Sequence, residues 1–296
     1  MTKPTWMITG ANGFLGANAT AYLADKATTI GITRDSHDLT NPATLAEEIT
    51  LTKPDYLLHA AAIASHQLCD AQPDLANTVN AETTKVLARA CENAGTKMIY
   101  ISTDSVFSGQ PTAHGPAGNY TEQDPTDPNT VYGESKLQGE IHAQTETNPL
   151  IVRTNFFGWS PTGHGSILEF FINELGAKRN INGFTNFTTT SLYVQTLMDY
   201  IYQLKDHAGI FHVTSRDAIT KYEFGIKVAE RFNLDESLIT PTELNTGKDI
   251  SLNTQKLSRE LQGEIEGQDQ GLHKAAANDS RLLAPKSQTF PCGDSN

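Results

Sequence analysis

A tyrosine and a lysine four residues apart, Tyr132 and Lys136, could together protonate an oxygen atom. On a helix, residues at this spacing lie on one face. Ketone reduction needs a proton donor at oxygen while hydride reaches carbon, and a phenol can serve if a nearby cation lowers its pKa from about 10. Because the pair starts the helix before the fifth predicted strand, we expect Lys136 to tune Tyr132 as the proton donor.

A hydroxyl that could bind the same oxygen follows the fourth predicted strand, in the segment ISTDSVF (101–107). Open parallel sheets bind their ligands at the carboxyl ends of the strands. Thr103 would there donate a hydrogen bond to the substrate oxygen and stabilise its developing charge. The alternative for this cluster is ordinary turn chemistry, in which Ser, Thr and Asp side chains satisfy loop backbone.

A glycine-rich segment, TGANGFLG (9–16), could hold the diphosphate of a dinucleotide. Gly10 permits a tight turn, Gly13 lets backbone N–H groups approach a pyrophosphate, and Gly16 allows close packing of helix on strand. The N-terminus of the following helix carries partial positive charge. Because the segment joins a predicted strand to a predicted helix, it indicates a dinucleotide site rather than a plain turn.

The residues after the second predicted strand bear on the choice of cofactor. NAD sites usually place an acidic residue there to hold the ribose 2′-hydroxyl. This chain has Arg34 there, and a guanidinium suits a 2′-phosphate. We therefore expect NADP(H) in preference to NAD(H). NAD(H) remains the alternative for two reasons: the acidic Asp35 lies next to Arg34 in the sequence, and Arg34 could simply point to solvent.

The elements that must position these residues alternate through the first half of the chain. Near-continuous apolar runs separated by helical patterns are typical of a parallel sheet covered on both faces by crossover helices. Strands are predicted at 5–9, 28–33, 56–60, 97–102 and 150–154. Helices are predicted from the glycine turn to about 25, and at 42–51, 74–93 and 132–145.

The alternation loosens after residue 155. Helices are predicted at 166–175, 192–204 and 222–232, with a short strand at 210–213 and a capping box of Thr220 and Glu223. We expect an α/β fold, a Rossmann-type doubly wound parallel sheet with a smaller C-terminal α/β substrate lobe. The expected domains are an NADP(H)-binding Rossmann domain with the catalytic residues (1–155), a mainly substrate-binding lobe with some return to the Rossmann core (156–277), and a flexible tail (278–296).

The composition of the chain excludes several classes of binding partner. A formal net charge of -12 over 296 residues argues against non-specific nucleic-acid binding. No secretory signal and no apolar run long enough to span a membrane is found. Cys69, Cys91 and Cys292 are odd in number and scattered, which indicates free thiols rather than a disulfide framework or a zinc site. We expect a cytoplasmic protein without metal, nucleic-acid or membrane partners. The sequence does not decide the oligomeric state, and a homodimer is one possibility.

Together these residues resemble the extended short-chain dehydrogenase/reductase family, and within it they look most like the dTDP-4-dehydrorhamnose reductase branch. The resemblance extends to about residue 277. It rests on TGANGFLG (9–16), HAAA (59–62), ISTDSVFSG (101–109), YGESKLQGE (132–140), RTNFFG (153–158) and GIFHVTSRDAITKYEFGIKVAERF (209–232).

The resemblance implies a set of site residues. It implies that Thr103, Tyr132 and Lys136 are catalytic, and that Lys136 also holds the nicotinamide ribose. The cofactor-binding residues, with Asn12 and Arg34 included, are then Gly10, Asn12, Gly13, Phe14, Leu15, Gly16, Arg34, Asp38, Leu39, Ala60, Ala61, Ala62, Tyr132 and Lys136. The residues expected to face the sugar-nucleotide substrate are His66, Asp104, Ser105, Asn155 and Phe156.

The implied activity is NADPH-dependent reduction of a keto group on a nucleotide-linked deoxysugar. Related dehydratases look like Thr-Asp-Glu where this chain has Ser105, and a serine hydroxyl cannot ferry protons as a carboxylate does, which disfavours dehydration. His66, Ser105 and Phe156 depart from the reductase branch, as does Thr189-Thr190, so the sugar stays open. The alternatives are a non-catalytic NADP-binding regulatory subunit similar to the methionine adenosyltransferase beta subunit, and a nucleotide-sugar epimerase.

Overall fold

The computed structural model describes residues 2–113, 115–161, 163 and 165–279. The strands are β1 (Thr5–Thr9), β2 (Thr28–Ile32), β3 (Tyr56–His59), β4 (Lys97–Thr103), β5 (Leu150–Thr154), β6 (Phe156–Phe157), β7 (Ile181–Phe184), β8 (Phe187–Thr189), β9 (Leu192–Tyr193), β10 (Gly209–His212), β11 (Ile219–Thr220), β12 (Ile239–Thr242) and β13 (Lys248–Asp249). The α-helices are α1 (Phe14–Leu23), α2 (Ala43–Thr52), α3 (His66–Ala71), α4 (Pro73–Asn77), α5 (Thr83–Ala94), α6 (Val131–Glu146), α7 (Ile167–Gly176), α8 (Val194–Leu204), α9 (Lys221–Phe232), α10 (Gln255–Glu260) and α11 (Gln268–Ala277).

A six-stranded parallel sheet with the order β10-β5-β4-β3-β1-β2 forms the centre of the molecule. The five strands predicted in the first half are confirmed to within a residue at each end. The strand predicted at 210–213 lies at 209–212 and pairs with β5, so the later part of the chain returns to the central sheet. The direction of winding reverses at β1, and open sheets of this kind bind ligands outside the strand ends at that point.

Successive residues of the central strands face opposite sides of the sheet, as the two-residue period of a strand requires. Trp6 and Ile8 of β1 belong to one buried cluster and Met7 to another. In β4 the residues Ile99 and Tyr100 divide in the same way. Because both faces are covered, the strand sequences are apolar throughout, and the expectation of a doubly wound α/β fold is confirmed.

The helix predicted at 74–93 is interrupted. It consists of α4, one π-helical turn at Thr78–Glu82, and α5. The other helices predicted in both halves are confirmed with shifts of one or two residues at most ends, and the capping box of Thr220 and Glu223 is present at the start of α9. The sequence missed the short helices α3 and α10, and also α11.

Three small sheets complete the later part of the chain: β7 with β12, β6 with β9, and a three-stranded sheet in which β8 lies between β11 and β13. In the described ranges, no helix combines the length and apolarity needed to cross a membrane. The domain boundaries at 155 and 277 stay a prediction. Of the predicted tail only Asn278 and Asp279 are described, and residues 280–296, with Cys292, lie outside the described residues.

Candidate active site

The glycine-rich turn lies between β1 and α1, where the sheet reverses its winding. Gly10 has a φ of +69°, in the left-handed region that favours glycine. A Cβ on Gly16 would lie 2.1 Å from the carbonyl oxygen of Gly10, so a side chain there cannot fit without moving the turn. The helix start at Gly13 has no side-chain cap and no acidic residue in its first turn. The first N–H groups of α1 therefore fit an anionic phosphate.

A buried chain of hydrogen bonds holds the loop after β3 against this turn. The Thr9 hydroxyl lies 2.7 Å from Nδ1 of His59 and accepts a 3.1 Å hydrogen bond from the N–H of Ala61. Burial lowers the pKa of His59 to about 3, so the imidazole is neutral. This arrangement fixes the segment of Ala60, Ala61 and Ala62 beside Gly10, where the cofactor was expected.

Asn80 is a site residue that the sequence analysis missed. Its side chain accepts a 2.8 Å hydrogen bond from the N–H of Ile63 and donates one of 3.1 Å to the carbonyl of the same residue. It also donates a 3.0 Å hydrogen bond to the Ser135 hydroxyl on α6. Asn80 thus ties the loop after β3 to the helix of Tyr132. Asn77 and Asn93 lie in the same predicted helix, so the sequence carried no signal that singled out Asn80.

The residues after β2 form an exposed turn. Arg34 is exposed, and it has no ion pair or hydrogen-bonded side-chain partner within the described part of the chain. The Asp38 carboxylate accepts hydrogen bonds of 2.8 Å from the N–H and the hydroxyl of Thr40, and these lower the pKa of Asp38. The carbonyl of Leu39 accepts a hydrogen bond from the Thr83 hydroxyl on α5.

Tyr132 lies in the first turn of α6, which the Thr130 hydroxyl caps by accepting a 3.1 Å hydrogen bond from the N–H of Gly133. The Thr103 hydroxyl, at the end of β4, lies near the phenol of Tyr132. Desolvation raises the pKa of Tyr132 above its ordinary value, and the neighbouring Thr103 hydroxyl opposes the rise. The structure therefore brings together a phenol and a hydroxyl that could bind one substrate oxygen.

Lys136 is buried one turn further along α6, and its Nζ lies 4.1 Å from the centre of the Tyr100 ring. Burial lowers the pKa of Lys136 to about 7, whereas the Glu140 carboxylate raises it. The expectation that this cation lowers the pKa of Tyr132 is not met here. The reason is that desolvation of the phenol has the largest effect on the pKa of Tyr132. The ammonium of Lys136 is itself desolvated and packs over the ring of Tyr100.

A buried ion pair lies behind Lys136. Arg153 of β5 donates hydrogen bonds of 3.0 and 2.8 Å to the two carboxylate oxygens of Glu140, and Ser102 of β4 donates one of 2.5 Å to the same carboxylate. Both charged side chains are nearly inaccessible to solvent. Helix α6 is thereby fixed to the two central strands, and a negative charge is held one turn from Lys136.

The carboxylate of Asp104 accepts hydrogen bonds from several side chains around the expected substrate site. It accepts hydrogen bonds of 2.8 Å from Asn155, 3.1 Å from Thr103 and 3.3 Å from Ser105. Thr189, at the end of β8, donates a further one of 3.1 Å. Asp104 therefore connects the end of β4 to the small sheet of the later part of the chain.

The two remaining residues expected at the substrate lie on different sides of the site. The ring of His66 meets the ring of Tyr132 edge-on, with 4.9 Å between ring centres. The ring of Phe156 packs against Phe14 of the glycine turn, with 5.4 Å between centres. His66 thus borders the phenol directly, whereas Phe156 borders the expected cofactor.

A doubly wound parallel sheet and an uncapped glycine turn at its switch point define a Rossmann-type protein. A phenol and a threonine hydroxyl lie together at the carboxyl end of its sheet as a candidate acid–base site. A family model described as the RmlD substrate binding domain matches residues 5–278. The chain belongs to this family. The resemblance drawn from the sequence is thereby confirmed.

Individual relatives agree with this assignment. The chain is 30% identical over 251 residues to a protein of Haloferax volcanii named as a probable low-salt glycan biosynthesis reductase, covering 78% of this chain and 81% of the relative. It is 26% identical over 243 residues to the dTDP-4-dehydrorhamnose reductase of Escherichia coli, covering 75% and 79%. The solved dTDP-4-dehydrorhamnose reductase of Bacillus anthracis, a complex with NADP, superposes with a TM-score of 0.84 at 24% identity, covering 93% and 98%, and supports the fold.

Proposed function

We propose that the protein is an oxidoreductase that uses NADPH to reduce a keto group on a nucleotide-linked deoxysugar. The observation that carries the proposal is the placement of Thr103 at the end of β4 and of Tyr132 at the start of α6, close enough for the hydroxyl to lower the pKa of the phenol. Both residues lie at the carboxyl end of the central sheet. The names of the relatives support the reaction class, since they are reductases of sugar metabolism.

Thr103, Tyr132 and Lys136 each have a role in this reaction. Bound nicotinamide cofactor supplies the hydride. Tyr132 gives its phenolic proton to the carbonyl oxygen of the substrate, and Thr103 orients that oxygen through its hydroxyl. Lys136, in its protonated form, stabilises the phenolate that remains and binds the nicotinamide ribose. Glu140 favours the protonated form of Lys136 against the effect of burial.

NADP(H) is the proposed cofactor in preference to NAD(H). The exposed guanidinium of Arg34 supports this preference, because no described residue forms an ion pair with it that a 2′-phosphate would have to displace. The diphosphate would lie at the uncapped start of α1. The remaining cofactor contacts are assigned to Gly10, Asn12, Gly13, Phe14, Leu15, Gly16, Asp38, Leu39 and the alanines 60–62.

The sugar is proposed to lie between the central sheet and the later part of the chain (156–277). His66, Asp104, Ser105, Asn155 and Phe156 would face it, and the hydrogen bonds that converge on Asp104 support a preorganised polar wall. The buried free thiols of Cys69 and Cys91 support a reducing, cytoplasmic location.

The decisive experiment incubates purified protein with NADPH and a panel of nucleotide 4-keto-6-deoxysugars, and follows oxidation of the cofactor. We expect turnover with one or more of them and a loss of at least about a hundredfold in Tyr132→Phe, which should still fold and bind NADPH. Turnover that survives in Tyr132→Phe would overturn the proposed mechanism. Absence of turnover together with a stoichiometric protein partner would favour a regulatory subunit, and protein purified with tightly bound NAD⁺ would favour an epimerase.

A further inference from the structure

Two lysines flank one aromatic ring in the small sheet β11-β8-β13. Phe187 begins the middle strand β8, and Lys248 of β13 is its direct partner in the ladder. On the other side, β11 pairs with β8 and ends at Thr220, so that Lys221 follows at once as the first residue of α9. Residues far apart in the sequence are thus brought close to one phenyl ring.

Both ammonium groups lie near this ring. Nζ of Lys248 lies 4.3 Å from the centre of the Phe187 ring and Nζ of Lys221 lies 5.4 Å from it. Both lysines are partly buried. Neither ammonium group forms an ion pair or a hydrogen bond with any residue in the described ranges. Partly buried cations usually have a carboxylate partner, so this pair calls for an explanation.

The lysine pair faces the substrate side of the candidate active site. Phe187 and Thr189 are two residues apart on β8 and therefore point to the same face, and Thr189 donates its hydrogen bond to Asp104. The Asp104 carboxylate attracts both lysines and so raises their pKa values, against a larger lowering by desolvation. Lys248 also acts on His66, whose pKa its charge helps to lower.

Asp104 cannot neutralise both lysines. One carboxylate faces two cations, and its oxygens are already occupied by hydrogen bonds from Asn155, Thr189 and others. Lys221 in addition occupies the first turn of α9, where the helix macrodipole disfavours a positive charge. The local surplus of positive charge in a chain of net charge -12 is suited to an anionic group of the ligand.

We infer that Lys221 and Lys248 form a subsite for the diphosphate of the sugar nucleotide, with Phe187 holding the two ammonium groups apart. This inference rests on the proposed function, because a nucleotide-linked sugar carries such a group between its sugar and its nucleoside. Two lysines suit a diphosphate because each can bind one phosphate as a compact point charge. With the diphosphate here, the sugar extends past Asp104 toward Tyr132.

The test measures binding directly, by titration calorimetry on the full chain saturated with NADPH. The probes are dTDP, UDP, inorganic pyrophosphate and uncharged thymidine. We expect the nucleoside diphosphates to bind at least about tenfold more weakly to Lys221→Gln and to Lys248→Gln, with a larger loss in the double variant. Lys227→Gln, on the same helix α9, is the matched control and should bind them like the unaltered protein.

Thermal unfolding and NADPH affinity show whether each variant is folded. Lys221→Arg and Lys248→Arg keep the charge and should retain most of the affinity. Unaltered affinity for dTDP and UDP in the folded double variant would overturn the inference, and so would equal losses with thymidine. Binding that depends on the two lysines in a protein that reduces no keto sugar would leave the subsite standing while the proposed function fails. Keto-sugar turnover that is insensitive to both substitutions would leave the proposed function standing while the subsite fails.

Discussion

The imidazole of His66 meets the phenol ring of Tyr132 edge-on, with 4.9 Å between the ring centres. His66 is the first residue of α3, a helix that Ser65 caps by accepting a 3.2 Å hydrogen bond from the N–H of Leu68. Desolvation and the charge of Lys248 lower the pKa of His66, so the ring is neutral at pH 7 and contacts Tyr132 as an aromatic group. This contact positions the phenol from the substrate side.

Two substitutions of His66 should show whether the residue acts through the packing of its ring or through proton transfer by its nitrogens. His66→Phe keeps an aromatic edge against Tyr132 and should change kcat by no more than about threefold, because aromatic pairs contribute only about 0.5–1.5 kcal/mol. His66→Ala removes the contact and should lower kcat about tenfold while NADPH affinity stays constant. Steady-state kinetics with a reduced keto sugar measure both. A His66→Phe variant as impaired as His66→Ala would show that the imidazole nitrogens act in the reaction.

Lys136 should make the reaction sensitive to pH near neutrality. Burial lowers the pKa of Lys136 to about 7, so the ammonium is present below that pH and is lost above it. If the protonated form is required, kcat/KM falls as the pH rises through about 7. Glu140→Gln removes the charge that raises the pKa of Lys136 and should move this falling limb to lower pH.

Two controls accompany the Glu140 variant. Because it breaks the buried pair with Arg153, its folding is checked by thermal unfolding. Lys136→Arg keeps a positive charge throughout the range and should remove the limb, whatever its effect on the maximal rate. A pH profile that is the same in all three proteins would show that Lys136 does not titrate in the reaction.

The sequence could predict the central strands because each is buried on both faces and therefore apolar throughout. The proposed catalytic positions followed from the predicted strands and helices, since Thr103 ends β4 and Tyr132 lies in the first turn of α6. The short strands of the small sheets could not be predicted, because two to four residues are too few to show a period. The pairing of Lys221 and Lys248 about Phe187 was therefore out of reach of the sequence.

Two features of the site depend on packing that the sequence pattern does not carry. The sequence predicted one uninterrupted helix where the structure has a π-helical turn at Thr78–Glu82, and the buried side chain of Asn80 belongs to this turn. The pKa of Tyr132 was expected to fall because Lys136 is four residues away. Spacing shows that two groups share a helix face, but it does not show how strongly each is desolvated.

Gly16 should be essential for the turn that receives the cofactor. A Cβ there would lie 2.1 Å from the carbonyl oxygen of Gly10, so Gly16→Ala must displace the turn. We expect a loss of about 1–3 kcal/mol in the free energy of unfolding and at least about tenfold weaker NADPH binding. Gly176→Ala at the end of α7 meets no atom within 4 Å and serves as control, with a change below about 1 kcal/mol. Equal behaviour of the two variants would contradict the close approach.

Arg34 should decide between NADPH and NADH. A charge-assisted hydrogen bond to the 2′-phosphate contributes about 1.5–3 kcal/mol, so Arg34→Ala should weaken NADPH binding by about ten- to a hundredfold. NADH lacks that phosphate, and its affinity should stay the same. Asp35→Ala is the control, because a carboxylate that held the ribose 2′-hydroxyl would make NADH binding depend on Asp35 instead. Fluorescence titration of both cofactors measures the four combinations, and a fall in NADH affinity confined to Asp35→Ala would reverse the proposed preference.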